Sequence, residues 1–349
     1  MSAMNPSQLR KWILASPPMQ WGIHRLRELL IAALRQGTVP KHIAFVMDGN
    51  RRFARSHKIE TIEGHNIGFE SLAKILEVCY KSGVKVVTVY AFSIENYKRS
   101  KYEVDALMEM AKIKLQQLSQ HGQLLERYGA CIRVLGQREL IRPDVLEAVE
   151  KAVDVTKNNG DCFLNICFPY TSREEITTAI KGTVDDFSKP LSAQARPFSQ
   201  TRITQKIRSR NLSTSPLRST SPTPSSTSDV DDSISSTTTL HTDSPHDGQD
   251  GPIYPDPETI TASHIEDHLL TAGDPPLDLL IRTSGVKRLS DFMLWQCHED
   301  TEIVFLNTLW PDFDLWSFLP VLVEWQWKQK HIEERGFGNG NQKLKTKVR

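Results

Sequence analysis

Short apolar runs alternate with amphipathic segments along most of this chain. The runs that predict buried strands are 42–47, 84–92, 131–135, 162–168, 277–282 and 302–306. The segments with apolar residues at helical spacing are 64–82, 101–120, 143–158, a stretch that begins at about 172, and 312–331. Strands that alternate with helices usually pair in parallel, with helices on both faces of the sheet. The pattern therefore predicts an α/β fold with a mainly parallel sheet.

This alternation stops between residues 190 and 255. Twenty of residues 211–240 are Ser, Thr or Pro, and no aromatic residue occurs between Phe198 and Tyr254. A segment of this composition cannot bury enough apolar surface to offset the entropy that it loses on ordering. We therefore predict that 190–255 is a disordered insertion within a single domain, 40–334, and that a polar tail, 335–349, follows the domain.

The segment before the first predicted strand, 1–39, combines apolar and basic residues. Over residues 7–36 it carries Trp12, Trp21 and several leucines, with five arginine or lysine side chains interleaved. A basic amphipathic helix can lie in a membrane interface, or it can pack on the core of its own domain. Both interpretations stay open. No segment approaches the ~20 apolar residues that cross a bilayer, so the membrane interpretation concerns the surface only.

Charge, cysteine content and one missing motif narrow the function. The formal net charge of this 349-residue chain is +1, which gives no reason to expect nucleic acid as a partner. The five cysteines form no C-x-x-C pair and lie mostly in apolar runs, as in reduced, cytosol-facing proteins. The chain has no G-x-x-x-x-G-K-S/T motif, which argues against a P-loop NTPase.

The first predicted strand ends in a charged turn. Asp48, Gly49 and Asn50 form the turn, and Arg51 and Arg52 open the helix that we expect next. A strand, a tight turn and a helix N-terminus together form an anion site, because free backbone amides and the helix dipole favour phosphate. Two arginines would neutralise a polyphosphate, whereas the carboxylate would be repelled by it unless a cation such as Mg²⁺ lies between them. A solvated basic turn is the other interpretation of this stretch.

A second charged turn follows the predicted strand 277–282. Three cationic side chains and three hydroxyl groups lie within residues 282–290, around Gly285. Such a cluster suits a second phosphate group, although a solvated basic loop would have the same composition. Two phosphate sites in an apolar α/β domain suggest an enzyme that joins two phosphorylated, apolar molecules.

The full set of motifs is more specific than either turn. The motifs are His42-x5-Asp48-Gly49-Asn50-x-Arg52, Gly64-His65-x-x-Gly68, Tyr90-Ala-Phe92-Ser93-Ile-Glu95-Asn96-x-x-Arg99, Leu164-Asn165-x-Cys167, and Asp278-x-x-Ile281-Arg282-Thr-Ser-Gly285-x-x-Arg288-Leu-Ser290, with Leu309-Trp310-Pro311 after them. In this order and spacing they resemble the cis-prenyltransferases, the undecaprenyl and dehydrodolichyl diphosphate synthases. The resemblance covers about 40–188 and 256–334. The variants at 96–100 and 282–285 favour the eukaryotic subunits of the dolichol pathway.

The resemblance implies a fold and a reaction. The fold would be a six-stranded parallel sheet flanked by helices, with a hydrophobic tunnel that holds the growing chain. The reaction would add isopentenyl diphosphate units to farnesyl or a longer allylic diphosphate, with Mg²⁺ as cofactor. The product would be a polyprenyl (dehydrodolichyl) diphosphate for dolichol synthesis and protein glycosylation.

The resemblance also implies roles for individual residues. The allylic diphosphate would bind at Gly49, Asn50, Arg51, Arg52 and Arg99. Isopentenyl diphosphate would bind at Arg282, Arg288 and Ser290. Asp48 would hold Mg²⁺ with Glu302 as a further ligand; His65, Ser93 and Asn96 would lie near the reacting groups, and Phe92 would line the pocket.

Three departures from the family pattern concern binding and assembly. Thr61 stands where bacterial members have an arginine, for which Arg51 or Arg55 would substitute. The family's metal-binding carboxylate aligns near Thr301 or, with one inserted residue, at Glu302. The C-terminal Arg-x-Gly that completes a neighbouring subunit's site in the family is shifted here, at residues 335–338. This implies a catalytic subunit that needs a Nogo-B-receptor-like partner, on the cytosolic face of the endoplasmic reticulum membrane or on lipid droplets.

Three other functions would require or predict different features. A trans-prenyltransferase needs Asp-Asp-x-x-Asp, and neither Asp185-Asp186 nor Asp231-Asp232 has the third carboxylate. A non-catalytic scaffold subunit of the same complex would be expected to lack the 48–52 turn, which is intact. A general phosphatase would release phosphate from simple monophosphates without isopentenyl diphosphate.

Overall fold

Six parallel strands form the central sheet of the computed structural model, which describes residues 17–120, 126–190, 254–298 and 300–336. The strands are β1 His42–Val46, β2 Val86–Tyr90, β3 Ala130–Leu135, β4 Cys162–Cys167, β5 Leu279–Arg282 and β6 Glu302–Phe305. Their order is β3-β4-β2-β1-β5-β6, and every pair is parallel. The predicted six-stranded α/β fold is confirmed. All strand carboxyl ends meet at one edge, with the ends of β1 and β5 side by side.

Helices connect these strands. They are α1 Pro17–Leu34, α2 Asn50–His57, α3 Thr61–Ser82, α4 Lys101–Gln120, α5 Pro143–Thr156, α6 Ser172–Phe187, α7 Ala262–Glu266 and α8 Leu315–Gly336. Their ends follow local chemistry: α3 ends at Gly83 in the left-handed conformation, and α5 starts at a proline. Helix α8 begins three residues later than predicted, because Pro311 lies in a separate 3₁₀ turn, Trp310–Asp312.

The chain divides into two units, 1–182 with 262–349, and 183–261. In the second unit, the described residues include the end of α6 and a 3₁₀ turn at Pro257–Thr259. Most of the predicted insertion, 191–253, lies outside the described residues, as do 1–16 and 337–349. The predictions of disorder and of a polar tail therefore stay predictions.

Both faces of the sheet are buried, as a parallel sheet requires. Ile43 and Phe45 of β1 point into the larger core, where Phe45 contacts Trp310 with ring centroids 5.8 Å apart. Ala44 and Val46 point to the opposite face, against residues such as Phe292. This alternation places Asp48, two residues beyond Val46, at the end of a strand that is fixed on both sides.

Polar side chains from the family motifs form a buried network near the other end of the sheet. His42 lies 2.7 Å from Thr88 Oγ1 through Nε2, and 3.0 Å from the Pro275 carbonyl through Nδ1. The Asn165 amide donates to Thr88 Oγ1 and, at 2.7 Å, to Asp274 Oδ2. Burial lowers the pKa of His42, so the ring is neutral at pH 7. These motif residues join strands to the segment before β5, away from the charged turns.

Helix α1 packs on the core of its own domain and also exposes apolar side chains, and its contact with a membrane surface stays a prediction. Ile31 and Leu34 are buried in the larger core, and Gln326 of α8 donates to the Leu34 carbonyl at 2.7 Å. Trp21 and Leu29 are exposed. Within the part of the chain that the structure describes, no helix is long and apolar enough to cross a membrane.

Two motif glycines let α3 press against the first charged turn. A Cβ on Gly64 would lie 2.7 Å from the Asn50 carbonyl oxygen. A Cβ on Gly68 would overlap the Asn50 side-chain oxygen and lie 3.0 Å from Trp310 Cδ1. The Trp310 indole also donates to the Gly68 carbonyl at 2.8 Å. The two glycines of the Gly-His-x-x-Gly motif are therefore required for the close packing of α3 against the first charged turn.

The replacement Gly68→Ala is expected to destabilise the protein by about 1–3 kcal/mol, because the added methyl group has no space. Urea unfolding measures the change. Gly22→Ala is the matched control, since a Cβ there meets nothing within 4 Å and helix propensity favours Ala by about 1 kcal/mol. Equal unfolding midpoints for Gly68→Ala and the wild type would show that α3 does not pack as described.

Candidate active site

The turn after β1 requires a glycine for two reasons. Gly49 has φ of 112°, in the left-handed region, and a Cβ there would lie 3.0 Å from Leu309 Cδ2. Helix α2 starts at the next residue, so the amides of its first turn have no partner within the helix. The turn therefore presents backbone N–H groups at the carboxyl edge of the sheet, as the sequence predicted.

An ion pair joins the ends of the two neighbouring strands. Arg282, at the end of β5, donates to Asp48 Oδ2 at 2.8 Å, and its side chain is only 4% exposed. Burial alone would raise the pKa of Asp48, but the hydrogen bond and the charge of Arg282 outweigh this and hold the pKa below its ordinary value. Asp48 is therefore a carboxylate at pH 7, and Arg52 lies 4.0 Å from the same oxygen.

The same arginine fixes the second charged turn. Its Nη1 donates to Ser290 Oγ and to the Arg288 carbonyl, both at 2.6 Å. Arg288 in turn donates from Nε to Ser290 Oγ at 3.2 Å. Arg282 thus links the two predicted anion sites, and its guanidinium is more fully engaged by protein groups than the sequence suggested.

Two motif residues that the sequence analysis did not assign to the site hold the Asp48 backbone. The Thr283 hydroxyl accepts from the Asp48 amide at 3.1 Å and donates to the Asp48 carbonyl at 2.7 Å. The Trp310 amide donates to the same carbonyl at 3.0 Å. Both residues lie within the quoted motifs, so the sequence marked them as candidates. Their contacts with Asp48 could not be predicted, because these depend on which strands become neighbours in the sheet.

A second wall of the site follows β2. Ser93 caps a 3₁₀ turn, Ile94–Lys98, by accepting from the Glu95 amide. Arg99 donates to Asn96 Oδ1 at 3.2 Å and to Glu103 Oε1 at 2.8 Å. Arg51 lies 3.8 Å from the same Glu103 oxygen. Glu103, which sequence reasoning missed, therefore brings the arginines of two elements together.

His65 faces these arginines from α3. Its Nε2 is buried and has no hydrogen-bond partner among the described residues. Burial, with the positive charges of Arg99 and Arg51, lowers the pKa of His65 to about 4. The imidazole is therefore neutral at pH 7 and keeps one ring nitrogen available for a ligand.

Most of these groups line one cavity of about 760 Å³. Thirteen of the fourteen predicted site residues line it: Asp48, Gly49, Asn50, Arg51, Arg52, His65, Phe92, Ser93, Asn96, Arg99, Arg282, Arg288 and Ser290. Apolar side chains of α3, α4 and the sheet line the rest: Leu72, Leu76, Leu107, Met110, Leu115, Val134, Leu164 and Ile166 among them. A charged end and an apolar interior suit a molecule with a phosphate head and a hydrocarbon tail.

Glu302 is the predicted site residue that the structure does not bring to the cavity. It starts β6 and pairs with Leu279, at the amino end of β5, whereas Arg282 ends that strand. Three residues of strand separate the two levels by roughly 10 Å. Glu302 forms an ion pair with Lys328 of α8. The expectation that it joins Asp48 as a metal ligand is therefore corrected for this chain, because parallel strands place their first residues at the opposite edge.

The residues of the cavity fit a Mg²⁺ ion that is held by one carboxylate together with substrate phosphates. Within the described ranges, no group of three or more His, Cys, Asp or Glu residues could hold a metal ion. Mg²⁺ is commonly held by one or two carboxylates together with substrate phosphates. Asp48, ionised at the charged end of the cavity, would supply the one carboxylate that this arrangement needs.

Comparison with known families agrees with this geometry. The family described as "Putative undecaprenyl diphosphate synthase" matches residues 46–333. The chain belongs to the cis-prenyltransferase family. The match covers strands β2 to β6, both charged turns and the apolar residues of α3 and α4 that line the cavity.

Individual relatives of this cis-prenyltransferase support the assignment. A dehydrodolichyl diphosphate synthase complex subunit of Schizosaccharomyces pombe is 44% identical over 91% of this chain and 97% of the relative. A human subunit of the same description is 35% identical over 86% of this chain and 71% of the relative. The solved lavandulyl diphosphate synthase of Lavandula x intermedia has a TM-score of 0.57 at 24% identity, covering 82% of this chain and 95% of that one, and shares the fold. The chain is thus a prenyl-transferring enzyme, and the scaffold alternative is not favoured.

The low pKa of His65 predicts a loss of stability in mild acid. Its pKa of about 4 in the folded protein lies below the ordinary 6.5, so the unfolded chain binds more protons between these values. The free energy of unfolding should therefore fall as pH falls through this window, by about 2 kcal/mol between pH 7 and pH 5. Urea unfolding of the wild type and of His65→Gln at both pH values isolates this contribution. Equal losses in the two proteins would contradict the assignment.

Proposed function

We propose that this cis-prenyltransferase adds isopentenyl diphosphate units to farnesyl or a longer allylic diphosphate. The product is a polyprenyl (dehydrodolichyl) diphosphate for dolichol synthesis and protein glycosylation. The observation that carries the proposal is the meeting of two cationic turns, linked by Arg282 and Asp48, at the mouth of one apolar cavity. The names of the relatives support the same reaction class.

The allylic diphosphate binds at the α2 turn. The free amides of the first helical turn and the exposed side chains of Arg51 and Arg52 are positioned for its oxygens. Arg99, held by Asn96 and Glu103, contributes from the second wall. Asp48 would hold Mg²⁺, which would supply positive charge that stabilises the leaving diphosphate.

Isopentenyl diphosphate binds at the second turn, on Arg288 and Ser290, which Arg282 fixes in place. The bond between allylic C1 and the diphosphate oxygen breaks, and the bonding electrons leave with the diphosphate. The double bond of isopentenyl diphosphate attacks C1, and a proton is lost from its C2 to form the new cis double bond. The role of the two turns is to hold both reactants in this relative orientation.

The apolar interior holds the growing hydrocarbon. Side chains of α3 and α4 line the cavity on one side and the sheet lines it on the other, with Phe92 and Phe168 among the aromatic residues. Each added unit pushes the chain further from the charged end. We assign His65, Ser93 and Asn96, which line the same cavity, to positions near the reacting carbons.

Apolar side chains that are exposed to solvent support the proposed assembly and location. Trp316, Val323 and Trp327 are exposed on α8, and Trp21 and Leu29 on α1. Similar relatives are named as subunits of a complex. We therefore assign α8 to the contact with a Nogo-B-receptor-like partner, and α1 to the cytosolic surface of the endoplasmic reticulum or of lipid droplets.

The test is incorporation of radiolabelled isopentenyl diphosphate into lipid-extractable product, primed with farnesyl diphosphate and Mg²⁺. Asp48→Asn, which keeps the shape of the side chain and removes its charge, should lower the rate at least about 100-fold. Asp154→Asn, at an exposed aspartate on α5, is the matched control and should keep the wild-type rate.

The assay is run with the chain alone and with the partner subunit. Product that requires the partner supports the two-subunit proposal, and product from the chain alone contradicts it. No product in either case, or an Asp48→Asn protein as active as the wild type, would contradict the proposed reaction or the role of the turn.

A further inference from the structure

Arg173 is a cationic residue of the cavity that neither the motifs nor the predicted roles included. It lies in the first turn of α6, lines the cavity with Arg288 and Ser290, and has a side chain that is 73% exposed. Its Nε donates to Asp291 Oδ2 at 2.8 Å, and its backbone amide donates to Asp291 Oδ1 at 2.9 Å. Its Nη2 lies 3.9 Å from Glu95 Oε1.

The position of this arginine is unfavourable for the helix itself. The first turn of a helix is the positive end of its dipole, where carboxylates stabilise and cations destabilise. Asp291 meets that preference by accepting from the Arg173 amide. A residue that departs from a local preference such as this one, without stabilising its own helix, is expected at a functional site.

The charges around the cavity indicate a role for Arg173 in binding an anion. Asp291 and Glu95 both line the cavity, and two carboxylates there would repel an incoming diphosphate. Arg282 is almost fully buried and donates to Asp48, to Ser290 and to the Arg288 carbonyl. Around the second charged turn, the exposed cations among the described lining residues are therefore Arg288 and Arg173.

We propose that Arg173 is a further substrate-binding residue, which binds the diphosphate of isopentenyl diphosphate beside Arg288 and Ser290. Asp291 holds its Nε and so positions the guanidinium, whose Nη groups keep donors for phosphate oxygens. The inference rests on the proposed function for the identity of the ligand. It predicts that the arginine acts on this substrate and has little effect on the allylic one.

Calorimetric titration with isopentenyl diphosphate and Mg²⁺, without an allylic primer, tests the contact without turnover. Arg173→Gln should weaken binding about tenfold, the loss expected for one charge-assisted contact, and Arg173→Lys should recover part of it. In steady state, Arg173→Gln should raise KM for isopentenyl diphosphate by a similar factor and change KM for farnesyl diphosphate less than about twofold. Arg138→Gln, at an exposed arginine of the 3₁₀ turn Arg138–Leu140 outside the cavity lining, is the matched control.

A double variant separates direct contact from simple neutralisation of Asp291. The double variant carries both Arg173→Gln and Asp291→Asn. If it binds isopentenyl diphosphate as tightly as the wild type does, the arginine only cancels the charge of the carboxylate, and the proposal is overturned. Unchanged affinity in Arg173→Gln would overturn it as well, while product formation by the wild type would leave the proposed function standing. Weak binding of isopentenyl diphosphate by both the single and the double variant supports direct contact. A wild-type protein that binds isopentenyl diphosphate but forms no product would contradict the proposed function and leave the role of Arg173 in binding standing.

Discussion

The ion pair between Asp48 and Arg282 is the contact on which the rest of the site depends. A buried charge pair is costly to desolvate and is tolerated only when its remaining donors and acceptors are satisfied. Arg282 meets most of this condition by donating to Ser290 and the Arg288 carbonyl as well, while its buried Nε has no hydrogen-bond partner among the described residues. Folding the pair therefore also folds the second turn over the end of β1. The positions of both predicted diphosphate sites follow from one guanidinium group.

The second constraint is the separation of charge from apolar surface. The carboxyl ends of parallel strands gather the turns at one edge of the sheet, while α3 and α4 cover an apolar cavity behind them. Gly64 and Gly68 let α3 approach the first turn closely enough to close this end. A substrate with a charged head and a hydrocarbon tail fits such a site in one orientation, with its head against the turns.

Local chemistry made much of this predictable from the sequence. The six strands and the charged turn at Asp48 follow from apolar runs and turn residues, which act over a few neighbouring positions. The predicted strand 84–92 was longer than β2, because the apolar side chain of Phe92 packs beyond the last paired residue. Glu302, Arg173 and Glu103 could not be placed in this way. Their surroundings depend on which strands and helices become neighbours, and a motif spacing does not contain that information.

The most informative experiment is a structure with isopentenyl diphosphate, Mg²⁺ and a non-reactive thiolo analogue of farnesyl diphosphate. We expect one diphosphate on the amides of the α2 turn and the other on Arg288 and Ser290. Mg²⁺ should lie on Asp48, and the farnesyl chain should lie between α3 and α4. Diphosphates bound away from the Asp48–Arg282 pair, or a farnesyl chain outside this cavity, would contradict the proposed arrangement of the site.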